Sequence, residues 1–407
     1  MHMPVLPLPV EADPAARLVG MAAIARIAFE QTDVGPLASR LMTRLQSLRA
    51  DPAALLDLSM ILQSHGRSAE AMEQMQSALR LRRDYCVVHG DGSGPRLLAF
   101  VTPGDFMANT PLDFLLEGSN AMLLLRYVDA ETAALDDLPE HDMAFMAVGE
   151  SPENAAVLAR MAELLANWPG PILNNAAPLI ASLTRDGVSA RLANQPALYA
   201  PPNLRVTQAK LAALRAGRIA PESLHPDLRF PLVLRPIGTH AGNGMCVAHS
   251  ADDLLAPDAA AVYLAPFIDY RDADGLFTKQ RIVVINGRPY PCHMARSDHW
   301  IVHYLSAGMA EDPAKRAAEA AWIADFDTGF ATRHAAAFAA LSAAIGLEYF
   351  GIDCAELPDG RLLIFELDVA MIVHDMDDAA TFPYKKPAMR RLFDAFLASL
   401  TPPTPPS

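Results

Sequence analysis

The segment FGIDCAELPDGRLLIFELDVA (350–370) limits the fold more than any other stretch of the chain. Two apolar, strand-like runs flank the turn PDG at 358–360, a pattern that predicts a β-hairpin. Glu366 and Asp368 are two apart, so a strand points both to one face, and the hairpin sets Asp353 beside them. Three carboxylates on one face of strands flanked by LLIF and VAMIV are costly unless something neutralises them. Mg²⁺ meets that need, because it is a hard cation that takes oxygen ligands and bridges substrate phosphates. Asp353, Glu366 and Asp368 are therefore its candidate ligands. The competing reading is an exposed edge with solvated acids, and the apolar flanks speak against it.

The rest of the chain decides what surrounds this hairpin. Its 407 residues give room for two or three domains. With 52% apolar and 20% charged residues, it can build large cores and is not a disordered chain. The 33 Lys and Arg against 47 Asp and Glu give a net charge of −14, which argues against nucleic-acid polymers as partners. That charge is uneven. Residues 348–378 hold nine acids and one cation, Arg361, whereas 279–303 hold Lys279, Arg281, Arg288 and Arg296 against Asp298, plus three histidines. An acidic wall facing a cationic one suits a metal-bridged triphosphate. Cys86, Cys246, Cys292 and Cys354 form no CxxC pair, and four reduced core cysteines are expected. The N-terminus MHMPVLPLPVEADP does not read as a signal peptide, and no stretch is long and apolar enough to span a bilayer. A soluble cytoplasmic protein with no membrane partner is the expectation.

Residues 15–50 read as helical with a break at Gly35-Pro36. Residues 51–85, with Leu58, Leu62, Gly66, Ala71, Met75, Ala78 and Leu79, resemble one tetratricopeptide repeat of about 34 residues. One repeat cannot stand alone, so these helices should dock on the rest of the chain as a cap, a homodimer contact or a platform for a protein partner. Further on, strands RLLAFVTPGDF, MLLLRYVDA, DMAFMAVGE and PILNNA alternate with helices near 110–118 and 152–167, which predicts an α/β layer with a largely parallel sheet. There is no P-loop and no GxSxG elbow. Gly90, Gly92 and Gly94 precede their strand, so they are no dinucleotide fingerprint. In 173–207, Asn175 is a candidate substrate contact and Arg185 a candidate substrate or nucleotide contact, with capping and turn chemistry as the alternative for the Asn and Asp residues there.

Strands FPLVLRP (230–236) and MCVAH (245–249) flank a loop, GTHAGNG (238–244), whose backbone N–H groups can lie over phosphates within reach of Arg235. The strand AVYLAPFID (261–269) leads out of this unit. His299 and His303 are four apart, as two zinc ligands on a helix would be, but no glutamate follows His299 as HExxH requires. Histidines lining a substrate cleft, or ordinary packing and surface histidines, are the other readings for His293, His299 and His303. Trp300 and Tyr304 could wall such a cleft.

In this order the motifs resemble the ATP-grasp superfamily, the ligases related to glutathione synthetase and D-alanine–D-alanine ligase. The resemblance covers roughly 170–400 and implies an ATP-grasp fold of α+β or α/β class. Its parts would be a tail at 1–14, a helical region at 15–90, a preceding α/β domain at 91–205, a lid at 206–268, a C-terminal subdomain at 269–400 and a Pro-rich tail at 401–407. It assigns Asp353, Glu366 and Asp368 to Mg²⁺, with Mn²⁺ as the alternative ion. To ATP it assigns Arg235, Lys210, His240, Gly242, Gly244, Tyr263, Ala265 and Phe267, with adenine on backbone groups of Ala265 and Phe267. Arg281, Lys279 and Arg296 would be catalytic, and Asn175, Arg185, His293, Trp300 and His303 would meet substrate. The chain departs from the family with Asp368 where Asn is usual and Arg235 where Lys is commoner. The implied activity is ATP-dependent ligation of a carboxylate to an amine, on small-molecule or peptide substrates, through an acyl phosphate with release of ADP. A non-catalytic Mg-ATP-binding scaffold and an ATP-dependent kinase are the alternatives.

Overall fold

The computed structural model describes residues 10, 13–47, 51–239, 242–254 and 260–401. The chain is a mixed α/β protein with three sheets. It opens with helices Met21–Phe29, Gly35–Ser47, Pro52–Ser64 and Ser68–Leu81. Asp51 caps the third of these by accepting from Ala54 N at 2.9 Å, and Gly66 turns the chain between the last two at φ 74°. The helical expectation for 15–90 overruns: the helix stops at Leu81, and Asp84–Val88 is a strand, β1.

The first sheet joins β1 to β2 (Arg96–Val101), β3 (Met122–Tyr127), β4 (Met143–Met146) and β5 (Ile172–Leu173) in the order β1-β3-β2-β4-β5. Pairing is parallel except for β1 with β3. Near-continuous apolar runs such as Leu97–Val101 are buried, as a sheet covered on both faces requires. The N-terminal helices pack on it: Leu41, Leu56, Met75, Leu97, Phe145 and Phe396 belong to one core cluster.

β6 (Leu198–Tyr199) leaves this layer and pairs parallel to the last strand of the chain. A small sheet follows, with β7 (Leu204–Thr207), β8 (Leu232–Pro236), β9 (Cys246–Ala248) and β10 (Ala261–Pro266) in the order β7-β10-β8-β9. It has a core of its own, including Val206, Leu211, Leu234 and Leu264. β9 is its edge strand, and Cys246 on it is exposed. This corrects the expectation of four core cysteines; only Cys86, Cys292 and Cys354 are buried.

The third sheet is antiparallel apart from β6. β11 (Phe277–Ile285), β12 (Arg288–Ser297), β13 (Tyr349–Glu356) and β14 (Leu362–Asp368) run in the order β12-β11-β13-β14-β6. Asn174, fully buried, stitches it to the first layer: Nδ2 donates to Tyr349 O at 2.8 Å and Oδ1 accepts from Tyr349 N at 2.9 Å. A second fixed point is buried Glu319, which accepts from Met294 N, Tyr304 OH and Tyr384 OH at 2.7–2.9 Å. Lys385, 2% exposed at the start of helix Lys385–Ser399, lies between Glu319 at 3.6 Å and Asp377 at 3.0 Å. Buried charges persist when they are paired and hydrogen-bonded in this way. Among the described residues no helix is long and apolar enough to cross a membrane.

Candidate functional site

A cleft of about 450 Å³ lies between the small sheet and the third sheet, with residues 300–305 and 371–374 along its far wall. The carboxylate hairpin forms its floor. In the β13–β14 register Asp353 stands opposite Glu366 and Gly351 opposite Asp368, so the three carboxylates face the cleft together. The hairpin and its turn are where the alternation placed them.

Their neighbours are more cationic than the spacing suggests. Asp353, 2% exposed, lies opposite Arg281 in the β11–β13 register. Its Oδ1 accepts from Arg281 Nε at 2.8 Å, and its Oδ2 from Lys279 Nζ at 2.8 Å and Arg281 Nη2 at 3.1 Å. Burial pushes this carboxyl up, but the charges of Arg281 and Lys279 and their hydrogen bonds prevail and hold it well below the usual carboxylate range. Glu366 Oε1 accepts from Arg185 Nη2 at 2.6 Å, and Asp368 Oδ1 from Ala370 N at 2.9 Å. Among the described residues no three His, Cys, Asp or Glu side chains are gathered so as to hold a metal ion. Glu366 and Asp368 still fit Mg²⁺, which binds through one or two carboxylates and completes its shell with phosphate oxygens and water.

The opposite wall carries Arg235 at the end of β8, paired across the strands with Tyr263. Its guanidinium donates to Thr239 O and has no ion pair among the described residues. Burial, reinforced by Arg185, lowers it to about 10. It is a cation in want of an anion. Gly242 also lines the cleft at φ 76°, and a Cβ there would stand 2.7 Å from Ile301 Cγ2. The glycine thus lets the loop close against the far wall. Tyr263, Ala265 and Phe267 line the same side. The Phe267 N–H is already given to Pro231 O at 3.0 Å, which leaves its carbonyl as the backbone group for a ligand.

Other expected residues fall elsewhere. Arg296 does not line the cleft. It stands opposite Thr278, on the face away from Lys279, and binds Asp272 and Asp274 at 2.6 and 2.7 Å. Lys210 is exposed on helix Gln208–Arg215, Gly244 lies outside the lining, and Asn175 Nδ2 reaches Leu165 O at 3.4 Å. His240 lies outside the described residues. Arg185, His293, Trp300 and His303 do line the cleft. Residues 298–303 are not helical, so the four-residue spacing of His299 and His303 makes no zinc face. Burial and then Arg281 and Lys385 hold His293 well below the ordinary imidazole range. His303 is lowered by burial, Lys279 and Arg281.

No protein-family model matches the chain, and no curated protein does. Solved structures do resemble it. A RimK domain protein ATP-grasp from Sphaerobacter thermophilus matches with a TM-score of 0.40 at 15% identity, over 75% of this chain and 99% of that one. D-alanine–D-alanine ligase from Bacillus anthracis, complexed with ATP, matches at 0.43 and 14%, over 75% and 97%. The ATP-grasp ligase PsnB, with minimal precursor, Mg and ADP, gives 0.42 and 14%, also over 75% and 97%. At such scores and identities these likenesses assign this chain no activity.

Several lining residues carry no signal in the sequence. Tyr270 donates to Trp300 O at 2.8 Å and packs its ring 4.8 Å from Phe365. His374 and Asp377 enter from the coil after β14, whose VAMIV run reads only as an apolar flank. Glu150 lies outside the lining, and burial and then Asp368 push it up to about 7. Together the groups make a cleft with an aromatic end at Phe267 and Tyr270, a charged centre, and a histidine-rich far wall. The centre can neutralise and orient phosphates.

Proposed function

We propose that this chain is an ATP-dependent ligase of the ATP-grasp kind, which joins a carboxylate to an amine and releases ADP and phosphate. The observation that carries the reading is the meeting, in one cleft, of Arg235 from the small sheet, Lys279 and Arg281 from β11, and Glu366 and Asp368 from β14. Adenine would lie against the end of β10, near Ala265 and Phe267. The phosphates would reach Arg235, the glycine loop and the pair Lys279–Arg281. Glu366 and Asp368 would hold Mg²⁺, which supplies further neutralisation of phosphate charge when bound.

The residues then act by position and charge. A substrate carboxylate oxygen attacks the γ-phosphorus, and the bond to the ADP oxygen breaks. Lys279 and Arg281 orient the transferred group and stabilise its charge. An amine attacks the acyl phosphate, phosphate leaves, and the amine gives up one proton as the amide forms. Aromatic walls around Trp300 and Tyr270 keep water from the acyl phosphate. The test is ADP release with pools of carboxylic acids and amines. Turnover that requires one of each is expected, and Glu366→Gln should lower it by about 100-fold or more. ADP release with a single acceptor and a stable phosphorylated product would show a kinase instead.

A further inference from the structure

We infer that Asp353 is the anchor of Lys279 and Arg281 and not a metal ligand, so that the cleft takes one divalent cation, on Glu366 and Asp368, together with the nucleotide. The inference rests on the nucleotide-binding part of the proposed function and departs from the metal triad that the resemblance implies.

Three observations carry it. The first is occupancy: both Asp353 oxygens are taken by three N–H donors within 2.8–3.1 Å, from two cations. A divalent ion bonded to either oxygen would stand beside an ammonium and a guanidinium in a buried setting, where like charges repel strongly. Arg281 cannot retreat easily, since it is also tied by Nη1 to Ile372 O at 3.2 Å. The second is strand geometry. The β13–β14 register shifts between Asp353 and Cys354, and the β11–β12 register between Arg281 and Ile282. The two irregularities adjoin the two members of the ion pair, and bulges re-aim side chains where a sheet has a task beyond pairing. One leaves Phe365 as the extra residue just before Glu366. The third is the contrast with β14: Glu366 accepts from one arginine, Arg185, and feels Arg235 and Arg281 only through space, and Asp368, two residues on, faces the same cleft. Two carboxylates plus phosphate oxygens are a sufficient set for Mg²⁺. Asp353 with Lys279 and Arg281 leaves one net positive charge, fixed where a second metal ion would otherwise stand.

The test uses the full chain with a non-hydrolysable ATP analogue and Mn²⁺, read by electron paramagnetic resonance. One tightly bound Mn²⁺ per nucleotide-bound chain is expected. Asp353→Asn should keep that affinity within about threefold while kcat for ADP release falls, whereas Glu366→Gln should weaken it about 10–100-fold. Two Mn²⁺ per chain, or an Asp353→Asn loss as large as that of Glu366→Gln, overturns the inference and leaves nucleotide binding standing. If Asp353→Asn does not fold, the wild-type stoichiometry still decides, as does the anomalous Mn²⁺ peak in wild-type crystals: a peak bonded to Asp353 contradicts the assignment. Failure of the wild-type chain to bind the analogue at all overturns both readings.

Discussion

Removing the Asp353 carboxylate would leave the partly buried Lys279 and Arg281 without their hydrogen-bonded anion. Asp353→Asn should therefore cost about 3–5 kcal/mol of stability, read as a lower midpoint in urea. Because the folded carboxyl titrates below its unfolded value, its contribution is present above about pH 4 and is lost as the pH falls. Asp57 behaves in the opposite sense. It is fully buried and accepts from Val19 N at 2.9 Å and Gly20 N at 3.3 Å, and burial pushes it up to about 7 against those bonds. Between about pH 4 and pH 7 the folded chain keeps a proton that the unfolded chain has released, so stability falls as the pH rises through that window. Asp57→Asn should flatten this slope in urea titrations from pH 4 to 8. An unchanged slope would place the dependence on another group.

The carboxylate hairpin was legible because strand alternation and the PDG turn act locally. Three strands of the small sheet, β8, β9 and β10, were legible as short apolar runs, whereas β7 at Leu204–Thr207 was read as part of a hinge. Arg296 was misassigned because a cation on a strand does not declare its face. Only the β11–β12 register shows that Thr278 and Arg296 point away from Lys279. β1 was hidden because five residues after a long helix carry little signal and their partner, β3, starts at Met122. His374 and Asp377 reach the cleft from coil, through tertiary packing that has no period to read. The glycine loop gives a test of element placement. Gly242→Ala should weaken nucleotide binding, since the Cβ would press on Ile301 and the positive φ disfavours a side chain. Adding Ile301→Ala should recover part of the loss in a titration with the ATP analogue. No recovery would mean that φ strain alone is responsible.

Across the whole chain, the small sheet has its own core, whereas the N-terminal helices, the first sheet and helix Lys385–Ser399 share one. A nucleotide between β10 and β14 would bridge the second and third sheets. The ATP analogue with Mg²⁺ should then stabilise the protein by about 2.7 kcal/mol at 100-fold excess over Kd, seen as a rise in Tm. The charge of −14 describes the surface average, while the cleft pairs Arg185, Lys279 and Arg281 with its own carboxylates and leaves Arg235 for an anion. The most direct test of ligation through an acyl phosphate is hydroxylamine trapping with ATP, Mg²⁺ and a pool of carboxylic acids, because hydroxylamine stands in for the unidentified amine. Hydroxamate formed in step with ADP, and lost in Glu366→Gln, is the expected result. ADP released without hydroxamate, or no ADP with any carboxylate, would contradict the account.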